Sequence, residues 1–208
     1  MAVSLFQNTS AGKLRGASWL SRCLALLMGL SLSGAVLAVE PDAHPHVALK
    51  TTMGEIVLEL DQEKAPKTVA NFLQYVKSGF YKGTVFHRVI DGFMIQGGGM
   101  DARLVTKKTS KPVQNEANNG LSNVPYSIAM ARTGDPNSAT SQFFINVAEN
   151  TPLDYPGRDG FGYTVFGKVI EGQDVVDKIK GVVVDDVKGQ QNVPVVPIVI
   201  TSASIVKR

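Results

Sequence analysis

Phe86-His87-Arg88-Val89-Ile90-Asp91-Gly92-Phe93-Met94-Ile95-Gln96-Gly97-Gly98-Gly99 decides how this 208-residue chain is read, together with the later Ser141-Gln142-Phe143-Phe144. Both stretches are strand-like, and on a strand successive side chains alternate between faces. Phe86 and Arg88 are therefore expected on one face, with His87 on the other. Met94 and Gln96 share a face of the next segment, and Gln142 and Phe144 share one later. If these faces converge, they build an apolar pocket edged by Arg88, Gln96 and Gln142. Such a pocket takes peptide-like ligands through few polar contacts and much apolar contact. No serine, cysteine or acid placed as a nucleophile accompanies them, which suits chemistry that twists a bond without breaking one.

Outward from this centre the chain alternates extended runs with turns. Val47–Thr52 and Glu55–Leu60 flank Met53-Gly54 as a hairpin would. Ile56, Leu58 and Leu60 alternate with Glu55, Val57 and Glu59, as in a half-buried strand. Pro66 to Gly79 reads as a helix, with proline at the first position and glycine just past the end. Its Val69, Phe72, Leu73 and Val76 form one apolar stripe for core packing. Short apolar runs follow at Thr84–Val89, Phe93–Gln96, Tyr126–Ala131, Gln142–Val147, Thr164–Val169 and Val195–Val206. A second helix is expected from Gly172 to Lys180, where Val175, Val176 and Ile179 share a face. Many strands with two helices predict a mainly β, mainly antiparallel sheet closed into a barrel. Gly97-Gly98-Gly99 is not a phosphate loop, since no Lys-Ser/Thr or helix follows it. Asp135-Pro136-Asn137 is a turn. His87 reads as a structural side chain.

The first residues read as an address rather than as fold. Residues 1–38 carry Lys13, Arg15 and Arg22 and no acid, then an apolar run from Cys23 to Leu30 and a small-residue end, Val36-Leu37-Ala38. This is the pattern of a secretory signal cleaved after Ala38, and the run is too short to span a bilayer. Cleavage removes the only cysteine and the only tryptophan, Cys23 and Trp19. It also removes three of the 21 basic residues and none of the 18 acidic ones, so the remaining charge balances. Balanced charge gives a nucleic-acid role no electrostatic basis. A cysteine-free domain is indifferent to disulfide chemistry. Residues 39–46 are polar and proline-broken and are expected to form a mobile leader, with His44 and His46 in a solvated tail and not in a metal site. One domain, 47–208, and a monomer are expected.

Phe86–Gly98 and Ser141–Phe144 resemble the signature motifs of the cyclophilins, peptidyl-prolyl cis-trans isomerases. The resemblance runs from about Val47 to Val206. It includes the Pro66–Gly79 helix, Val165-Phe166-Gly167-Lys168-Val169 and the Asn192-Val193-Pro194 approach to the last strand. With the export signal, the chain is most similar to the periplasmic cyclophilins of Gram-negative bacteria. The resemblance implies an eight-stranded antiparallel barrel capped by two helices, no cofactor and no metal. Proline-containing unfolded polypeptides are the implied partners. It puts Arg88 at the catalytic arginine, supported by Gln96 and Phe93. Phe93, Met94, Phe144 and Leu153 match the floor and walls of a proline pocket. Gln96 and Gln142 match groups that bind substrate backbone and orient the arginine, and Ala131 lies in a strand offering backbone contacts.

The departures are equally specific. Pro152 stands where many eukaryotic relatives have a tryptophan, so weak cyclosporin binding is expected. Tyr163 stands at a pocket histidine, keeping an apolar ring with a polar tip. Arg132 stands where asparagine is common and is expected to add charge beside the peptide. The implied function is cis-trans isomerisation of X-Pro bonds in exported proteins. The alternative is a non-catalytic peptide-binding chaperone module using the same groove.

Overall fold

The computed structural model describes residues 43–207. The signal segment, its cleavage point and the first half of the expected leader lie outside these residues. The strands are β1 (His46–Thr51), β2 (Gly54–Leu60), β3 (Thr84–Ile90), β4 (Met94–Asp101), β5 (Ser127–Met130), β6 (Phe143–Asn146), β7 (Val165–Glu171), β8 (Val184–Val187), β9 (Gln190–Pro194) and β10 (Ile198–Val206). The helices are α1 (Pro66–Lys77) and α2 (Gln173–Lys180). Eight strands close a barrel in the order β1-β10-β3-β4-β6-β5-β7-β2, every pairing antiparallel. β8 and β9 form a separate two-stranded hairpin.

Alternation along the strands sorts side chains into two clusters. Leu49, Ile56, Leu58, Ile95, Ile128, Phe143 and Ile145 point into the barrel, where they meet Val69, Phe72 and Val76 of α1 and Val176 and Ile179 of α2. Phe72 sits at the centre of this core, 5.1 Å from the Tyr81 ring, 5.7 Å from Phe143 and 5.2 Å from Phe166. Pro66 starts α1 without losing a bond, because the first N–H groups of a helix have no internal partner. A remote carboxylate satisfies the next two: Glu116 accepts from the N–H groups of Lys67 (3.1 Å) and Thr68 (2.8 Å).

Three expectations need correction. His46 belongs to β1, and the leader is pinned just before it: Leu60 N–H donates to the Pro45 carbonyl and Gln62 N–H to that of Ala43, both at 3.0 Å. β10 begins at Ile198, not Val195, because β9 and its hairpin take up the preceding chain. Phe86 and Arg88 do not share a face. On β3, Phe86 pairs with Gly97 while Arg88 pairs with the adjacent Gln96, so a bulge adds one residue between them. Phe86 therefore lies in the barrel core and Arg88 on the outer surface. A bulge re-aims a side chain in this way, and here it re-aims the arginine.

Candidate functional site

Outward-facing residues of the β4-β6-β5-β7 segment form the second apolar cluster. Met94, Phe144, Ala129 and Val165 are buried in it, and Phe93, Ala131, Leu153 and Tyr163 pack against them. A cavity of about 140 Å³ opens above this cluster. Arg88, Phe93, Met94, Gln96, Ala131, Arg132, Phe144, Leu153 and Tyr163 line it. Gln142 completes the set from one layer back: Gln96 Nε2 donates to Gln142 Oε1 at 2.9 Å. All the expected site residues thus come together, with Arg88 delivered by the β3 bulge.

The walls are fixed by packing and by a buried polar network. The Phe144 and Tyr163 rings meet edge to face, 5.8 Å apart and at 76°. Phe93 enters from the turn before β4, and its carbonyl accepts from Asn150 Nδ2 at 2.8 Å. Asn150 also donates to Asn146 (2.6 Å), and Asn146 donates to Asn123 Oδ1 (3.1 Å) and Ser127 (2.9 Å). Asn123 in turn donates to Asp154, just past Leu153. This chain ties the Phe93 and Leu153 walls to each other. Sequence reasoning missed these asparagines, since hydrophobic periodicity carries no signal for polar residues at a strand end, as Asn146 is, or in loops, as Asn123 and Asn150 are. Ala129 was within its reach, because it alternates in phase with Ser127, whereas a register shift on β7 puts Val165 out of phase with Lys168.

The two arginines of the site differ in their bonding. The Arg88 side chain forms no hydrogen bond or ion pair among the described residues and lines the cavity, so its fork is unengaged there. Arg132 is engaged throughout. Its Nε and Nη2 donate to the Gly162 carbonyl at 3.0 and 2.9 Å, its Nη1 donates to the Thr133 carbonyl at 2.9 Å, and Nη2 also binds the Asp159 carboxylate. This pairing, followed by the N–H groups of Phe161 and Gly162, holds the Asp159 carboxyl down at about 2. Arg132 thus lines the cavity, with its charge paired: the side chain is 3% exposed and bonded inward to Gly162 and Asp159. Ala131 N–H donates to the Gln142 carbonyl at 3.0 Å, which leaves its own carbonyl as the group a peptide could use.

A larger groove of about 490 Å³ continues past Phe93, Leu153 and Tyr163 and is lined beyond them by Glu149, Pro152 and Arg158. An apolar cup with one unengaged guanidinium at its edge can hold a small ring and donate to an atom of it. Residues 46–205 match the family described as "Cyclophilin type peptidyl-prolyl cis-trans isomerase/CLD". The chain belongs to the cyclophilins.

Relatives agree with this. The cyclophilin is 59% identical over 161 residues to a peptidyl-prolyl cis-trans isomerase of Streptomyces antibioticus, covering 76% of this chain and 97% of that one. It is 54% identical over 184 residues to peptidyl-prolyl cis-trans isomerase A of Dickeya dadantii, covering 88% and 96%. Among solved structures, a cyclophilin-type isomerase of Cryptosporidium parvum, crystallised in the presence of the dipeptide Ala-Pro, has a TM-score of 0.65 at 28% identity, covering 78% of this chain and 99% of that one. The chain is a peptidyl-prolyl isomerase by family.

Proposed function

We propose that this cyclophilin isomerises X-Pro bonds in exported polypeptides, without a covalent intermediate, and that Arg88 is its electrostatic catalyst. The observation that carries the reading is the unengaged Arg88 fork at the edge of the apolar cup. The barrier to rotation, about 18–20 kcal/mol, comes from conjugation of the amide nitrogen lone pair with its carbonyl. At the twisted state that lone pair is localised on nitrogen, where a donor stabilises it more than in either planar isomer. A guanidinium keeps its charge and offers a rigid fork of donors. The cup formed by Phe93, Met94, Phe144 and Leu153 holds the proline ring, and the low polarity there strengthens the contact. Gln96, held by Gln142, orients the neighbouring backbone, and the Ala131 carbonyl receives the peptide. An acceleration of about 10⁵ needs about 7 kcal/mol, within reach of positioning and one strong contact together.

The signal-like residues 1–38 support export to the periplasm, with a mature chain beginning at Val39 and the isomerase domain at 47–208. Among the described residues no helix is long and apolar enough to cross a membrane. Unaided X-Pro isomerisation takes tens to hundreds of seconds, slow enough to limit folding. The test is refolding of an exported protein whose slow phase is set by proline. Catalytic amounts of the cyclophilin, recovered from the periplasm with Val39 as its first residue, are expected to shorten that phase. Intact mass during turnover is expected to show no adduct. An unchanged slow phase or a cytoplasmic full-length chain would contradict the reading. Pro152 offers no indole to a large cyclic ligand, so calorimetry with cyclosporin is expected to give a Kd weaker than about 1 μM, and nanomolar binding would contradict this.

A further inference from the structure

We propose that Arg132 and Asp159 act as a positioning clamp, which fixes residues 159–163 so that Tyr163 stands as a wall of the proline pocket, and that Arg132 lends no charge to the bound peptide. The inference rests on the site reading above. The segment leaving Leu153 returns at Tyr163, whose N–H donates to the Leu153 carbonyl at 2.9 Å. Between them the chain is mostly exposed, including Tyr155 and Phe161, and has few apolar contacts of its own to hold it. Its fastenings are polar. Asp154 is held by Asn123, and the Gly162 carbonyl accepts from Asn115 Nδ2 at 3.2 Å. Arg132 adds two further bonds to Gly162 and the ion pair to Asp159.

Arg132 also touches the ring of the pocket wall. Its guanidinium carbon lies 4.3 Å from the centre of the Tyr163 ring, and that ring abuts Phe144. The guanidinium plane thus supports the ring from one side while its edge binds the returning chain. Asp159 accepts from Phe161 and Gly162 N–H at 3.0 and 3.1 Å, so one carboxylate shapes the turn and neutralises the arginine together. A lysine could carry the charge but not the fork or the stacking. The clamp acts on how well the pocket is preformed for proline. It therefore governs the binding of every substrate alike and not the choice of residue next to proline.

The test is steady-state isomerisation of three tetrapeptides with Glu, Ala or Lys before proline. It uses the parent, Arg132→Ala, Arg132→Lys, Asp159→Asn, Asp159→Ala and the Arg132→Ala/Asp159→Ala double variant, with Arg88→Ala alongside. For the Arg132 and Asp159 variants KM is expected to rise about 5- to 10-fold for all three peptides, with kcat within about twofold of the parent. The ratio of Glu to Lys peptide turnover is expected to stay within about twofold, and the double variant to cost no more than Arg132→Ala alone, as for residues acting as one unit. Asp159 is 44% exposed, so its variants break the pair without emptying the interior. A changed Glu-to-Lys ratio at unchanged KM for the Ala peptide, additive single effects, a loss confined to kcat, or parent-like kinetics in the Asp159 variants would overturn the clamp. Full activity in Arg88→Ala would instead overturn the site reading, so the two failures are distinct.

Discussion

Arg88 and Arg132 border the same cup, and the state of their donors separates their roles. The first has its fork unengaged, and the second has Gly162, Thr133 and Asp159 around it. Between Phe86 and Arg88, His87 is buried, and its Nδ1 has no hydrogen-bond partner. It shares a cavity of about 210 Å³ with Asp185 of β8 and with Pro194 and Pro197. Burial, chiefly, pushes His87 below the ordinary imidazole range, and the adjacent Arg88 adds to this, against a hydrogen bond to Val85. The folded chain therefore resists a proton that the unfolded chain accepts as pH falls through about 6.5. The stability linked to His87 is fully present above that pH and is lost as pH falls toward the lowered folded value. The melting temperature of the parent is expected to drop between pH 7 and 5, and His87→Gln to flatten that slope. An unchanged slope would contradict the assignment.

At the junction of β3, β4 and β6, close packing explains the last two of three consecutive glycines. Gly98 has φ +82°, and a Cβ there would stand 2.7 Å from a Phe143 ring carbon and 2.9 Å from Tyr81. Gly99 lies under Gln142, whose Cγ would be 2.3 Å from an added Cβ. The two positions predict different losses. Gly98→Ala strains the backbone and overpacks the core, costing on the order of 3 kcal/mol in denaturant unfolding. Gly99→Ala swings Gln142 away and removes the Gln96 bond, lowering kcat/KM by about tenfold, with a smaller loss of stability than Gly98→Ala. The reverse ordering of stability losses would contradict this packing. The sequence placed β4 but cut it short at Gln96, because glycines weaken any strand signal. It also set Phe86 and Arg88 on one face, because strict alternation has no means to register a bulge. The inserted residue shows only in the pairing with Gly97 and Gln96.

At the scale of the molecule, the barrel was legible because the periods of its strands and of both helices are strong. The β8–β9 hairpin was not, since Val184–Val187 carries two adjacent aspartates and Gln190–Pro194 begins with polar residues and ends in proline. The members of the site were legible through family resemblance, and alternation alone could not have assembled them. The engagement of Arg132 depends on Asp159 and Gly162, brought back to it by the chain that returns at Tyr163. No local pattern around Arg132 announces that contact. The barrel thus acts as a rigid frame whose outer face holds a small apolar cup, with one arginine re-aimed into it. In the proposed mechanism this one guanidinium lowers the rotation barrier. Its most direct test is a protease-coupled isomerisation assay on a proline tetrapeptide, comparing the parent with folded Arg88→Ala and Arg88→Lys. An active parent is expected, with a loss of about 100-fold or more in kcat/KM for Arg88→Ala and incomplete recovery with lysine. A folded Arg88→Ala as active as the parent would contradict the mechanism.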